Sequence, residues 1–140
     1  MRILFILLTV AFLTGCAEDP ELGKENLYGY WHVMGYQENG FDREEDTDIA
    51  YYFKSPDFGQ RAYLGTRDDY TLIWLDDTHF EFVKCIPAVC LPIGLNNFEV
   101  QAQTKSRLQL RNWIYDEDGN KLSDQIYLME RISESDYDDY

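Results

Sequence analysis

Few residues in this 140-residue chain have side chains suited to covalent or acid–base chemistry, and their spacing narrows what that chemistry is. Three cysteines stand at 16, 85 and 90, and two histidines at 32 and 79. Cys85 and Cys90 are too far apart for a C-x-x-C redox pair, and no histidine lies close in sequence to complete a zinc site. His32 and His79 fall in no nucleophile motif, and neither G-x-S-x-G nor H-E-x-x-H occurs. Packing or surface roles are expected for both, and no residue is assigned a catalytic role. The 26 Asp and Glu residues include no spacing that singles out an acid–base pair. The segment "DREEDTD", residues 42–48, offers oxygen atoms that a hard cation such as calcium accepts. Asp116, Asp118 and Gly119 echo part of a calcium loop. Neither spacing completes a known loop, so both read as solvated acidic turns, and no metal or cofactor is expected.

The remaining cysteine, Cys16, has a different context. Residues 1–15, "MRILFILLTVAFLTG", carry one charge, Arg2, ahead of an apolar run. The run is shorter than the roughly 20 residues a transmembrane helix needs. A basic start, a short apolar core and small residues before a break describe an export signal. Leu13-Thr14-Gly15-Cys16 resembles the bacterial lipobox. That resemblance implies cleavage before Cys16 and its acylation, palmitate included, so that the mature protein starts there. Several acyl chains anchor a protein stably where one does not. By resemblance to Gram-negative lipoproteins, Ala17 after the cysteine implies sorting to the outer membrane, facing the periplasm. Residues 16–26 are polar, with Pro20 and Gly23, and read as the lipidated cysteine and a flexible tether. In an exported chain the pair Cys85 and Cys90 reads as a disulfide. It closes a short loop, so its contribution is expected below the roughly 3 kcal/mol of a 15-residue loop.

Charge excludes some partners. Without residues 1–15, the 12 Lys and Arg become 11 against 26 Asp and Glu, a net charge near −15. Such a chain repels nucleic acid and anionic headgroups. The same charge suits either solubility or a cationic protein partner.

From residue 28 onward, apolar residues alternate with period two and turn signals recur about every ten residues. The pattern predicts strands at 30–37, 49–54, 61–67, 70–75, 79–84, 98–104, 107–115 and 125–132. Tyr, Phe and Trp make up 16% of the chain, a bias that favours strands. Eight short strands in simple order predict an all-β, single antiparallel up-and-down barrel over residues 27–132. Trp31, Val33, Leu72, Trp74, Phe80, Phe82, Phe98, Val100, Leu108, Leu110, Ile114, Ile126 and Leu128 fall on the apolar sides of their strands. Glu99, Gln101 and Gln103 fall on the other side, as do Arg107, Gln109 and Arg111 on the next strand. The tail "SESDYDDY", residues 133–140, is acidic and reads as disordered.

Leu27, Gly29 and Trp31 form an L-x-G-x-W pattern at the start of the first strand, and Arg131 lies late in the last. Together they resemble lipocalin-like domains, including small bacterial lipoproteins. The resemblance implies that Gly29 lets the chain cross the barrel floor, that Trp31 plugs it, and that Arg131 packs over the indole. The chain departs from typical lipocalins in its shortness and in having a hairpin, "DEDGN", where a helix precedes the last strand. An eight-stranded barrel either holds one small ligand or is filled with side chains, and this aromatic content suits both. Two functions of different class remain. One is a binding module for a small apolar or amphipathic ligand, lined by Val33, Leu72, Trp74, Phe80, Phe82, Phe98 and Leu110. The other is an acidic interaction or inhibitor protein docking a cationic partner such as a lysozyme.

Overall fold

The computed structural model describes residues 24–45, 47–86, 89–116 and 118–140. A single helical turn, α1 (Lys24–Leu27), leads into nine strand segments: β1 (Gly29–Glu38), β2 (Phe41–Glu45), β3 (Ile49–Lys54), β4 (Phe58–Tyr63), β5 (Thr66–Trp74), β6 (His79–Ile86), β7 (Val89–Gln103), β8 (Arg107–Tyr115) and β9 (Lys121–Ile132). A short helix, α2 (Glu134–Asp138), follows. Every adjacent pair is antiparallel, and β9 returns to pair with β1 from Tyr30 opposite Ile132 to Glu38 opposite Gln125. That last ladder closes the sheet and removes its edges. On its other side β1 pairs with β3 through residues 29–32 and with β2 through 35–38. The segments β2 and β3 therefore share one place in the ring, and the architecture is an up-and-down barrel of eight strand positions.

Local chemistry explains the connections. Asn39 and Gly40, with φ of 50° and 84°, make the tight turn between β1 and β2. In the β5–β6 connection the Asp76 carboxylate accepts the backbone N–H groups of Thr78 (2.7 Å) and His79 (2.8 Å). Asp116 does the same between β8 and β9, accepting from the backbone of Asp118 (3.0 Å) and Asn120 (2.7 Å). These bonds favour the ionised carboxyl, so both groups sit below the usual carboxylate range, with Thr78 the main cause for Asp76 and Asn120 for Asp116. Asp116, which echoes a calcium loop in sequence, is thus occupied in building its own turn.

Alternation then fills the barrel. Leu27, Trp31, Val33, Phe53, Leu72, Phe80, Phe82, Phe98, Val100, Leu108, Leu110 and Met129 form one buried cluster. Burying each large apolar side chain contributes about 1.5–3 kcal/mol. Bulges in β1, near residue 82 and near residue 101 bend the strands around this core.

The structure corrects several sequence expectations. The reversal expected at Asp68-Asp69, between the strands read at 61–67 and 70–75, falls earlier, at Leu64-Gly65, where φ is +48° and +75°. Asp68 and Asp69 instead continue β5 and pair opposite Arg61 and Gln60, with Gln60 donating to Asp69 at 2.7 Å. Part of the acidic loop, residues 41–45, is strand β2, because the Asn39-Gly40 turn folds it back on β1. Ile126 and Leu128 point outward, Leu128 being 41% exposed, while Ser123, Gln125, Tyr127 and Met129 face the axis. Arg131 sets that parity, since it must point inward to reach Trp31. Gln103 is buried rather than outward-facing, because the bulge between Val100 and Ala102 shifts the alternation.

The tail is also ordered. Ser133 caps α2, accepting the Asp136 N–H at 3.1 Å while the Asp136 carboxylate accepts the Ser133 N–H at 3.3 Å. Tyr137, 1% exposed, packs outside the barrel against Tyr30 and Tyr52, with Arg67 over its ring at 5.1 Å. Its hydroxyl donates to Gln60 at 2.9 Å, and burial pushes its pKa up to about 12. The apolar-poor composition of "SESDYDDY" pointed to disorder. A capping box and one buried tyrosine suffice to dock it. Lys24–Asn26, read as tether, belong to α1 at the barrel floor.

Candidate ligand site in the barrel

Trp31 is fully buried and its indole N–H donates to the Leu27 carbonyl at 2.7 Å. Arg131 stacks over the indole, 4.2 Å from the ring centroid. Its Nε donates to the Lys105 carbonyl (2.8 Å), Nη1 to Tyr28 (2.8 Å) and Nη2 to Asn26 (2.9 Å). Partial burial draws its pKa below the ordinary value, and the guanidinium stays charged. Gly29, at φ +129°, leaves room for this arrangement: a Cβ there would collide with Nη1 of Arg131. The floor residues expected from sequence, Gly29, Trp31 and Arg131, are therefore brought together as one plug.

Above the plug, six of the seven residues expected to line a pocket are buried to 0–3% exposure: Val33, Leu72, Phe80, Phe82, Phe98 and Leu110. Phe80 stacks on Phe98 at 5.1 Å, Phe82 lies 4.7 Å from Phe98, and Phe53 meets Phe80 edge-on at 5.9 Å. Surfaces this covered leave no water-sized space beside them. Trp74, the seventh, is half-buried against Phe80 at 4.9 Å. The lower and middle barrel is thus a packed aromatic core.

Nearer the mouth the character changes. Tyr51 and Tyr70 rest on Phe82 at 6.2 and 4.8 Å, and Tyr127 lies 6.3 Å from Tyr51. The Tyr127 hydroxyl donates to Gln125 at 2.7 Å, and Asn112 donates to the same Gln125 oxygen at 3.5 Å. Arg61 stands directly opposite Tyr51 across the β3–β4 ladder, on the face where Gly59 meets Leu72 and Phe82. Burial pushes up the pKa of Tyr51, Tyr70 and Tyr127, while the nearby Arg61 pulls each of them back. All three hydroxyls therefore remain neutral donors at pH 7. Two buried atoms here have no partner: Nε of Arg61 and Oδ1 of Asn112, the latter on a residue only 4% exposed. Such atoms cost free energy unless something pairs with them. Sequence reasoning passed over both residues, although an arginine and an asparagine on the inward parity of otherwise apolar strands carry a readable signal.

The other sequence candidates lie apart. The His32 ring faces outward, its Nε2 donating to the Thr47 carbonyl at 2.8 Å, with Nδ1 3.6 Å from Glu130. His79 is held by Asp76 at 2.8 Å at the β5–β6 turn. Among the described residues no group of three or more His, Cys, Asp or Glu converges as metal ligands. The β6–β7 register seats Cys85 opposite Cys90; their side chains, like Cys16 and Asp46, lie outside the described residues.

No family model and no curated protein matches this chain. Among solved structures, bovine odorant-binding protein with its natural ligand is similar, at 13% identity and a TM-score of 0.45 over 87% of this chain and 83% of that one. The same bovine protein with a selenium-containing odorant gives 14% identity and a TM-score of 0.46 over 86% and 80%, and with undecanal 13% and 0.43 over 87% and 83%. The strand pairing alone defines the barrel.

Proposed function

We propose that this is a lipid-anchored lipoprotein of the bacterial cell envelope, whose barrel is a non-catalytic binding module for one small apolar or amphipathic molecule. The observation that carries the reading is the mouth of the barrel, where unpartnered buried polar atoms stand over aromatic rings. Ligand sites combine those two features: apolar walls supply affinity and a few fixed polar groups orient the ligand. The packed lower core restricts the site to the upper barrel, so the ligand is small. Anchoring rests on the lipobox, with Cys16 acylated and held in the outer membrane on its periplasmic side. The Cys85–Cys90 disulfide is part of the same proposal, supported by their cross-strand register.

Native mass spectrometry of residues 17–140, exported to a bacterial periplasm without the lipidation site, tests the binding reading. A discrete added mass that leaves on gentle activation is expected. A bare protein mass throughout would mean a barrel filled by its own side chains. Labelling with radioactive palmitate, retained by the natural chain and lost in Cys16→Ala, tests the anchor.

The docking of a cationic protein is the second reading. Its discriminating feature is where the acids lie. Exposed acids occur at Asp42, Asp57, Asp68, Asp77, Asp118 and Asp138, on connections and rims all around the barrel. That distribution supports solubility more than a docking face at residues 42–48.

A further inference from the structure

We infer that the mouth of the barrel holds an anion subsite centred on Arg61, and that the ligand is a short amphipathic carboxylate. The inference rests on the binding reading above and assigns the chemistry of the ligand's polar end. Its acid group approaches Arg61 beside the hydroxyl of Tyr70, and its apolar part lies over the part-buried Tyr70 ring.

The argument begins with an unusual placement. In a chain with 26 acids and 12 Lys and Arg, most cations have acids to meet. Arg43, Arg67, Arg107 and Arg111 each do, with carboxylates at 2.6–3.8 Å. Arg61 does not: no described carboxylate lies within 4 Å of it. The acid directly opposite, Asp68, is paired instead with Lys84 at 3.8 Å. Arg61 faces the barrel axis, where its Nε is buried without an acceptor. The neutral Tyr70 hydroxyl beside it adds to the attraction for an oxyanion without supplying a charge of its own. A carboxylate completes the set, accepting from Nε and from that hydroxyl in a partly desolvated place where charge-assisted bonds are strong.

Asn112 adds a second constraint. It sits across the mouth, linked to Tyr127 through Gln125, and its free Oδ1 is an acceptor on a residue 96% buried by its 4% exposure. An acceptor with no partner calls for a donor, so the best-fitting carboxylates also bear a hydroxyl or amide N–H. The covered rings from Phe82 downward limit the apolar part to a short chain or a single ring.

The test compares octanoate with 1-octanol by isothermal titration, on residues 17–140 and on Arg61→Gln. Octanoate is expected to bind at least tenfold more tightly than octanol, and Arg61→Gln to bring octanoate down to the octanol level while leaving octanol unchanged. Arg61→Leu is expected to raise the melting temperature of the ligand-free protein, because it removes an unsatisfied buried donor; a purely structural arginine would do the reverse. If octanoate and octanol bind alike and Arg61→Gln alters neither, the subsite is wrong and the pocket stands. If neither binds and the native mass is bare, the pocket reading fails and takes the subsite with it. Should Arg61→Gln and Arg61→Lys both lose the native circular dichroism spectrum, Arg61 holds the fold together and the inference is overturned.

Discussion

At the floor of the barrel, Arg131 donates three N–H groups to three backbone carbonyls and stacks on Trp31. At the mouth, Arg61 leaves its Nε without an acceptor, and no described carboxylate lies within 4 Å of it, Asp68 opposite being turned to Lys84. Both arginines stand on the inward parity of their strands, β9 and β4, so parity by itself does not set the difference. The floor arginine meets chain segments that cross the barrel, α1 and the β7–β8 connection, which bring carbonyls to it. The mouth has no crossing chain among the described residues. A closed end satisfies its polar groups from within; an open end leaves that to whatever enters. Stability is therefore concentrated at the floor, and room for function at the mouth.

Substitutions can break that contrast. The largest effect is expected from Phe80→Ala, in the packed core, with a loss of about 3–5 kcal/mol by urea unfolding; a loss below about 1 kcal/mol would mean that the core is loosely filled. Gly29→Ala comes next. A Cβ at φ +129° is strained and displaces Nη1 of Arg131, so a loss of about 2–3 kcal/mol is expected, accompanied by a change in Trp31 fluorescence. A mutant as stable as the parent would show that the plug is dispensable.

Asp124 offers a smaller test, on the outer wall. Arg111 and then Lys121 hold its carboxyl below the usual range, at 2.6 and 2.7 Å. A depressed folded-state pKa gives stability that is full above the unfolded value of about 3.9 and is lost as pH falls below it. Asp124→Asn is expected to lose about 1–2 kcal/mol at pH 7 and to show a flatter pH dependence below pH 4. Identical pH profiles for parent and mutant would remove Asp124 from the account. The smallest effect is expected at the mouth: Asn112→Leu should stay within about 1 kcal/mol of the parent, because it replaces an amide whose oxygen has no partner. A loss like that of Phe80→Ala would make the mouth as structural as the floor.

Much of this contrast is legible in the residues. Period-two alternation identifies β1, β3, β6 and β8, where one face is apolar and the other polar. It misreads β9, because Ile126 and Leu128 compete with Tyr127 and Met129 for the inward face. Gly29, Trp31 and Arg131 are readable as a plug because their types and places are distinctive. Arg61 and Asn112 are not, since a polar residue on a strand reads by default as outward. Turn chemistry was strong at Asn39-Gly40 and at Asp76. At Leu64-Gly65 only the glycine hinted at the reversal, and the aspartates just beyond it looked like the better turn.

The sequence by itself determined what local rules encode: the β class, the tight turn at Asn39-Gly40 and the identity of the floor residues. The tertiary structure alone decided which face of β9 and which end of β7 turn inward, because bulges and the reach of Arg131 set those parities. It also decided that the interior is packed below and polar above. That division depends on which side chains from eight strand positions meet at each height, and no single strand carries that information.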